Sequence, residues 1–253
     1  MVSLTNNPSA IQTCLFAKLG EIDYLEAWEI QKAIARRRGE GSLPDSLILL
    51  EHPHTYTLGR RGKLSDVLVG GAALRQMGVQ VCHVDRGGEV TYHGPGQIVA
   101  YPIVDVRPLG GAVTYVRTLE TVLINTLKDF GLEAHREGSL TGVWVGHEKI
   151  AAIGVKISRG ITTHGFALNV NPNLSYFQHI VPCGIESMAA TSMERLLGIP
   201  VSLGGVTLQL VHHFGLLFHR AMEEASQAPS AGSGRALRLR EKGFAPLHSS
   251  FFQ

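Results

Sequence analysis

The sequence predicts a fold of the α/β class and α+β type, in which helices pack on a mixed β-sheet. Two observations carry this prediction. An amphipathic helix is indicated at 113–130, where apolar residues recur every three or four positions and the pattern ends at Gly131. Three β-type runs, TGVWVG, KIAAIGVKIS and ITTHGFALNV, then follow one another across short gaps, as in an antiparallel meander. Helices and strands do not alternate strictly, which argues against a doubly wound parallel sheet.

The composition is typical of one globular domain. At 253 residues with 44% hydrophobic content, the chain can bury a sizeable core. Its 23 basic and 21 acidic residues nearly balance, so neither nucleic acid nor a membrane surface is expected as the main partner. The start lacks a signal-peptide pattern, and no window approaches a membrane-spanning length. With an odd number of cysteines in addition, we expect a cytoplasmic protein.

The first part of the chain predicts a helix, a buried strand and a loop that joins two strands. Apolar residues at helical spacing indicate a helix over 22–37, and arginines precede its end at Gly39. The apolar run at 46–52 is typical of a buried strand. The alternating run at 79–85 and the β-rich run after 97 predict two strands, joined by the glycine-rich segment RGGEVTYHGPGQ at 86–97.

The last part predicts a helix-rich region and a tail. Helical segments are expected around 186–197 and from about 205 to 225. The small, polar residues of 226–234 are typical of a linker, and the remainder shows no strong period. We therefore interpret 1–225 as one domain and 226–253 as a peripheral C-terminal tail.

One of the three cysteines has a setting that suits a nucleophile. Cys14 and Cys82 lie in apolar or alternating runs, where a cysteine usually serves as a small hydrophobe. Cys183 lies between Pro182 and Gly184 in HIVPCGIESM, where a ligand can approach closely and a following helix start would favour a thiolate. A Pro-Cys-Gly segment can also be only a turn, so these residues alone leave both interpretations open.

Lys149 is a candidate partner for such a cysteine. It opens the run KIAAIGVKI, where nearly all its neighbours are apolar. A lysine there can act as a base, or it can stay charged and stabilise a thiolate. The alternative is a lysine at a strand end that reaches water.

The glycine-rich segment supplies many donors for a ligand. Its glycines allow close backbone approach, and polar side chains add further donors. The spacing matches neither the P-loop nor the dinucleotide-binding pattern. His93, with His52, His54 and His83, suggests a metal site, but no paired ligand motif supports zinc.

Four blocks of the sequence together resemble the lipoyl(octanoyl) transferases. They are RGGEVTYHGPGQIVAYPI at 86–103, KIAAIGVKI at 149–157, THGFALNVN at 163–171 and PCGI at 182–185. They occur in the family's order and spacing, and the resemblance covers about residues 15–220. It implies a fold shared with biotin and lipoate protein ligases, and a reaction that needs no cofactor, neither ATP nor metal.

The resemblance also implies the roles of individual residues. Cys183 takes the place of the cysteine that carries the acyl thioester, and Lys149 that of the lysine that tunes it. The implied substrate pocket is lined by residues of the glycine-rich segment and of two later runs: Arg86, Gly87, Gly88, Glu89, Val90, Thr91, Tyr92, His93, Ala152, Ile153, Gly154, Gly165, Phe166 and Ala167. We interpret the small residues in the later runs as leaving space beside the sheet for an apolar chain.

The partners implied by the resemblance are an octanoyl-acyl carrier protein as donor and lipoyl domains as acceptors, those of 2-oxoacid dehydrogenase complexes and of the glycine cleavage H protein. Because acyl carrier proteins are acidic, Arg60, Arg61 and Lys63 are candidates for a docking surface, although solvated surface charge would explain them equally well. Two alternatives remain: an ATP-dependent lipoate or biotin ligase, which needs no cysteine nucleophile, and a non-catalytic acyl-binding protein.

Overall fold

The computed structural model describes residues 11–181 and 189–225. Cys183, one of the predicted catalytic residues, lies outside the described residues, as does the predicted tail 226–253. Among the described residues, no helix is long and apolar enough to cross a membrane.

The longer helices form where the sequence supplies caps and an apolar face. The helix α1 (Tyr24–Gly39) begins after Asp23, whose carboxylate accepts hydrogen bonds from two free backbone N–H groups of the first turn. The helix α3 (Ala112–Asp129) confirms the prediction at 113–130 and buries one face, including Tyr115 and Leu119. The other helices are α2 (Gly71–Gln76), α4 (Met193–Leu197) and α5 (Leu203–Phe218).

The strands form a large mixed sheet and a small one. In chain order they are β1 (Gln12–Glu21), β2 (Asp45–Glu51), β3 (Thr55–Leu58), β4 (Gln80–His83), β5 (Val90–His93), β6 (Gln97–Ile103), β7 (Val143–Val145), β8 (Glu148–Ser158), β9 (Ile161–Asn169) and β10 (Arg220–Glu224). The large sheet has the order β10-β1-β2-β6-β9-β8-β7. Its β1 runs parallel to both β10 and β2, and the other neighbours are antiparallel.

The meander predicted from the three β-type runs is confirmed. Strands β7, β8 and β9 are consecutive antiparallel neighbours, and the turn between β8 and β9 is made by Arg159 and Gly160. This places Lys149, near the start of β8, on the same pair of strands as the two small-residue runs of the predicted pocket.

The glycine-rich segment differs from its prediction as a loop between two strands. Its residues Val90–His93 form β5, which pairs with β3 in the small sheet β4-β3-β5. Four residues between glycines are too short for periodicity to identify a strand. The segment therefore turns twice, once before β5 and once between β5 and β6.

The helix-rich region predicted near the end also contains a strand. α5 ends at Phe218, His219 adopts a left-handed backbone conformation with φ 52°, and β10 then pairs with the edge of β1. A strand that pairs with the first strand of the chain leaves no local sequence signal, so the prediction of helix up to 225 is wrong there. The predicted helix at 186–197 is limited to α4 within the described residues.

The large sheet separates two cores. On one face, α3 and α5 pack on alternate residues of the strands, such as Leu47 and Leu49. On the other face, α1 packs on the residues between them, such as Ile48 and Leu50. The small sheet has its own core around Tyr56 and Tyr92. The glycine-rich segment lies between the two sheets, next to β8 and β9.

Candidate functional site

A cavity of about 540 Å³ lies where the glycine-rich segment faces β8 and β9. It brings together most of the predicted site residues, which come from three separate parts of the sequence. Those on its wall are Arg86, Gly87, Gly88, Glu89, Val90, Thr91, His93, Lys149, Ala152, Ile153, Gly154, Gly165, Phe166 and Ala167. Tyr92 does not line the cavity, and Cys183 lies outside the described residues.

Two cross-strand pairs form the small-residue wall. Ala152 faces Ala167, and Gly154 faces Gly165, across the antiparallel β8–β9 pair. Side chains on one strand alternate between faces, so these four positions share a face of the sheet. The wall is therefore a narrow strip without large side chains.

The two glycines do not leave empty space, contrary to the interpretation from the sequence. A Cβ at Gly154 would lie 3.0 Å from both Arg86 Cδ and the Gly87 carbonyl oxygen. A Cβ at Gly165 would overlap the Ala100 carbonyl oxygen of the neighbouring strand. Glycine is needed at these positions because the glycine-rich segment and β6 approach the wall closely.

The buried Arg86 side chain holds the glycine-rich segment in place through hydrogen bonds to backbone carbonyls. Its Nη2 donates to the Thr57 carbonyl at 2.7 Å and to the Glu89 carbonyl at 2.8 Å. Its Nη1 donates to the Gly87 carbonyl at 3.0 Å. A guanidinium with several donors in a fixed plane can tie such carbonyls together. Arg86 therefore holds the fold of the segment as well as lining the cavity.

Tyr92 and His93 both have internal partners. The Tyr92 hydroxyl lies 2.8 Å from His54 Nδ1, and its ring stacks on Tyr176 at 4.9 Å. His93 Nδ1 lies 2.8 Å from the Gln97 side-chain oxygen, so this nitrogen carries the proton. Burial lowers the pKa of His93 well below its ordinary value, and the ring is neutral at pH 7.

A hydrogen-bond chain runs from His93 towards the strand of Lys149. The Gln97 amide donates to the Asn169 side-chain oxygen at 2.8 Å, and the Asn169 amide donates to the Thr191 carbonyl at 2.9 Å. The Thr191 N–H in turn donates to the Lys149 carbonyl at 3.0 Å. Gln97 and Asn169 also line the cavity. Gln97 is one of the polar side chains of the glycine-rich segment that were expected as donors, whereas Asn169 and Thr191 were missed, because their only signal was their place in or near the motifs.

Lys149 lies on the cavity wall between two strand neighbours. Its N–H donates to the Ala189 carbonyl at 2.9 Å, where the described chain resumes after 182–188. On the other side, Trp144 of β7 is its register partner. The Lys149 ammonium lies 5.0 Å from the centroid of the Trp144 ring. The Lys149 side chain therefore lies against a buried aromatic ring.

A buried histidine that lines the cavity meets two charged groups beside the wall. His164 Nε2 lies 2.8 Å from Asp85 Oδ1, and the Lys156 ammonium donates to the other Asp85 oxygen. Burial alone would raise the pKa of the Asp85 carboxyl, but the bonds from Lys156 and His164 hold it below its ordinary value. Burial lowers the pKa of His164 despite Asp85. Sequence reasoning gave these residues no role, although Lys156 and His164 lie within the blocks at 149–157 and 163–171 and Asp85 directly precedes the block at 86–103.

The two described cysteines are structural, as predicted. Cys14 and Cys82 are both buried and unpaired with each other. Burial raises the pKa of each thiol, which leaves almost no thiolate at pH 7. Among the described residues, no group of three His, Cys, Asp or Glu side chains is arranged to hold a metal ion.

The basic segment at 60–63 lies at the mouth of the cavity. Arg60, Arg61 and Lys63 are exposed, and Arg61 belongs to the cavity wall. Arg61 Nε lies 3.4 Å from the Glu89 carboxylate of the glycine-rich segment. Main-chain bonds from Arg60 and Arg61 to the carbonyls of Arg86 and Gly88 fix the segment there.

Sequence comparisons find close relatives over most of the chain. The lipoyl protein ligase A/B catalytic domain family matches residues 23–215. An octanoyltransferase of Solibacter usitatus is 51% identical over 209 residues, which cover 82% of this chain and 94% of that protein. An octanoyltransferase of Chloroflexus aurantiacus is 50% identical over 204 residues, covering 79% and 92%.

Solved structures of low sequence identity share the fold. A lipoate-protein ligase A bound with ATP superimposes with a TM-score of 0.69 at 16% identity, covering 86% of this chain and 90% of that one. The bi-partite lipoate protein ligase of Thermoplasma acidophilum gives a TM-score of 0.68 at 17% identity, covering 95% and 100%. At such identities the likeness concerns the fold alone.

Proposed function

The chain belongs to the octanoyltransferases, within the lipoyl protein ligase A/B catalytic domain family, and on that premise we propose a two-step transfer through Cys183. In this proposal an octanoyl group moves from an acyl carrier protein to Cys183 and then to a lysine amine of a lipoyl domain. The acceptors are the lipoyl domains of 2-oxoacid dehydrogenase complexes and the glycine cleavage H protein. The reaction uses neither ATP nor a metal, because the donor is already an activated thioester.

One observation carries the proposal. A single cavity joins Lys149 to a strip of small apolar residues, and the residue that bonds to the Lys149 N–H, Ala189, follows the PCGI segment closely in the chain. A charged group beside an apolar channel suits an acyl thioester, which has a reactive polar end and an apolar tail. The described residues therefore supply surroundings for both parts of the substrate.

In the first step the Cys183 thiolate attacks the thioester carbonyl carbon of the donor. A new carbon–sulfur bond forms, the old one breaks, and the phosphopantetheine sulfur leaves as a thiolate that takes a proton from the Lys149 ammonium, which becomes a neutral amine. One thioester replaces another, so the step is close to balanced in free energy. The Lys149 ammonium supports this step as a positive charge that favours the thiolate.

In the second step the acceptor lysine attacks the acyl-enzyme as a neutral amine. A carbon–nitrogen bond forms, the Cys183 sulfur leaves as a thiolate, and the nitrogen loses a proton to give an amide. Lys149 is the candidate that takes up or relays this proton. Backbone N–H groups of the glycine-rich segment are candidates to stabilise the developing oxyanion.

The apolar tail accounts for much of the affinity for the donor. Each methylene transferred from water to the wall contributes about 0.8 kcal/mol, so an octanoyl chain contributes several kcal/mol. Ala152 and Ala167 supply the contact surface without filling the channel.

Mass spectrometry tests the covalent step directly. The protein is incubated with octanoyl-acyl carrier protein without ATP, and we expect a mass increase of one octanoyl group on the peptide that contains Cys183. The Cys183→Ser variant should give no adduct and no transfer to a lipoyl domain, whereas the Cys82→Ser variant should retain both. Full transfer by Cys183→Ser would exclude the mechanism, and an adduct that requires ATP would favour a ligase.

A second variant tests Lys149. Lys149→Ala should form the acyl-enzyme and pass it on at least about a hundredfold more slowly, a loss in the usual range for acid–base catalysis. Rapid-quench measurement of both steps separates an effect on thiolate formation from one on aminolysis. Normal rates in both steps would exclude any tuning role for this lysine.

A further inference from the structure

The side chain of Lys149 lies on the face of a buried aromatic ring. Trp144 and Lys149 are register partners on β7 and β8, so their side chains leave the sheet next to each other. The Lys149 ammonium is 5.0 Å from the ring centroid, within the roughly 6 Å over which a ring face attracts a cation. Only 2% of Trp144 is exposed, so the indole has little freedom to move away.

Gly142 forms the other side of this arrangement. Its φ of +140° is in the region that side chains disfavour, and a Cβ there would lie 2.6 Å from Lys149 Cε. The same Cβ would lie 3.2 Å from Trp144 Cη2. The alkyl stem of Lys149 therefore passes through a gap between a glycine backbone and an indole ring.

The segment that carries Gly142 and Trp144 is anchored to helix α3. Glu120 on α3 is fully buried, and its carboxylate accepts the Gly142 N–H at 3.3 Å and the Arg136 Nε–H at 2.8 Å. Trp144 exchanges two main-chain hydrogen bonds with His135, the residue before Arg136. A buried carboxylate is stable only when such donors satisfy it, so the contacts hold both sides of the gap in place.

We propose that Trp144 is a positioning residue that, with the Gly142 backbone, holds the Lys149 ammonium at the cavity wall where its charge favours the reactive thiolate. This inference rests on the proposed function, because it assigns to Trp144 an effect on Cys183 that passes through Lys149. It assigns no contact between Trp144 and substrate, since Trp144 is not among the residues that line the cavity. The ring fixes the direction of the lysine, and the lysine supplies the charge.

The experiment measures thiolate formation as a function of pH. Alkylation by iodoacetamide is followed on the Cys183 peptide from about pH 5 to pH 10, a range that spans ordinary thiol ionisation. In Trp144→Leu we expect the midpoint to move up by about one pH unit and acyl-enzyme formation at pH 7 to fall about tenfold, as the loss of a desolvated cation–π contact implies. The KM for the octanoyl donor should stay within about twofold, because the wall is unchanged.

Trp144→Phe is the conservative rescue. It keeps an aromatic face for the ammonium, so its midpoint should remain near that of the wild type. Trp144→Met fills the space without a ring, so we expect the same upward shift of the midpoint as for Trp144→Leu. It replaces the leucine variant as the test if that variant fails to fold. Thermal unfolding of each variant shows whether the fold is retained.

A second lysine–tryptophan pair serves as the matched control. Lys32 lies over the ring of Trp28 at 3.8 Å on helix α1. Lys32→Gln removes this cation–π contact and leaves the Trp28 ring in place beside His164, so we expect the alkylation profile to be unchanged.

The outcomes separate this inference from the proposed function. A wild-type adduct on Cys183 together with an unchanged profile in both Trp144→Leu and Trp144→Met would overturn the positioning role alone. An equal shift in Trp144→Phe would also overturn it, because bulk rather than the ring face would then be responsible. Absence of any wild-type adduct would overturn the proposed function itself.

Discussion

His164 donates a hydrogen bond to Asp85 across 2.8 Å, and this contact joins strand β9 to the residue that precedes the glycine-rich segment. In a regular strand, His164 would share a face with Phe166, which packs with α3 and α5. Its backbone instead has φ 57°, and the imidazole contacts Tyr24 and Trp28 of α1. A non-glycine residue in this region is strained, so the surrounding contacts must hold it there.

Asp85→Asn is expected to weaken the contacts that hold the start of the glycine-rich segment against β8 and β9. The amide keeps an acceptor for His164 but removes the negative charge that faces Lys156. We expect the free energy of unfolding to fall by about 1 kcal/mol and the KM for the octanoyl donor to rise. Urea denaturation and steady-state kinetics measure the two effects. Asp129→Asn, which alters the surface pair with His213, is the control, and equal effects of the two substitutions would contradict the prediction.

Ala152→Leu is expected to shorten the acyl chain that the cavity accepts. Three added carbon atoms would occupy volume beside Ala167 on the facing strand. Each methylene excluded from the wall costs about 0.8 kcal/mol, so two excluded methylenes reduce kcat/KM for the octanoyl donor by about tenfold. A hexanoyl donor should be affected much less. The ratio of kcat/KM for the two donors is the measurement, and an unchanged ratio would mean that the chain lies elsewhere.

Charge reversal at the cavity mouth is expected to weaken use of a protein-borne donor. Arg60→Glu or Arg61→Glu should lower kcat/KM for octanoyl-acyl carrier protein at low salt by about fivefold or more, because rim charges act mainly on association. The effect should shrink as ionic strength rises. Both variants should have the wild-type kcat/KM for octanoyl-pantetheine, a donor that carries no protein. Arg36→Glu on α1 is the control, and an unchanged rate at low salt in both mouth variants would remove the surface from consideration.

His52 is expected to make stability depend on pH. It is fully buried, its Nδ1 bonds to the Ile22 carbonyl at 2.7 Å, and its Nε2 accepts from the Tyr101 hydroxyl at 2.6 Å. Burial lowers its pKa to about 4. Between about pH 6.5 and this value the unfolded chain binds a proton that the folded protein does not, so stability falls as pH falls.

His52→Gln keeps a donor and an acceptor without the titration. Between pH 7 and pH 5 the wild type should lose about 2 kcal/mol more stability than this variant. Urea denaturation at both pH values gives the difference. Parallel losses in the two proteins would show that His52 does not carry the effect.

Local patterns in the sequence predicted the elements that have local causes. Helix α3 has an apolar period and an end at glycine, and the β7–β9 meander has turns between β-type runs; both are confirmed. Strand β10 was missed because its partner, β1, lies at the other end of the chain. Strand β5 was missed because it spans only Val90–His93 between glycines.

The cavity wall shows a similar division. Every predicted site residue except Tyr92 and Cys183 lies on the cavity wall. The need for glycine at two of these positions, however, comes from atoms that are distant in the sequence. Gly165 is required by Ala100 on β6, and Gly154 by Arg86, and neither contact leaves a periodic signal. The environment of Lys149 likewise depends on Trp144 and Gly142, and no local pattern in the sequence indicates that these residues contact the lysine. Cys183 and its role stay a prediction.

The pairing of β1 with β10 has a consequence for how the chain is made. Thr13 and Glu223 are hydrogen-bonded although 210 positions separate them, so β1 emerges from the ribosome about 10–40 s before its second neighbour exists. Arg220, which precedes that contact, also bonds to the buried Asp45 carboxylate at 2.8 Å. Until Arg220 is synthesised, Arg38 is the one cation that pairs with Asp45 among residues 11–181 and 189–225. Completion of the large sheet and formation of the second ion pair of Asp45 therefore coincide late in translation, after the residues that form the cavity wall have been added.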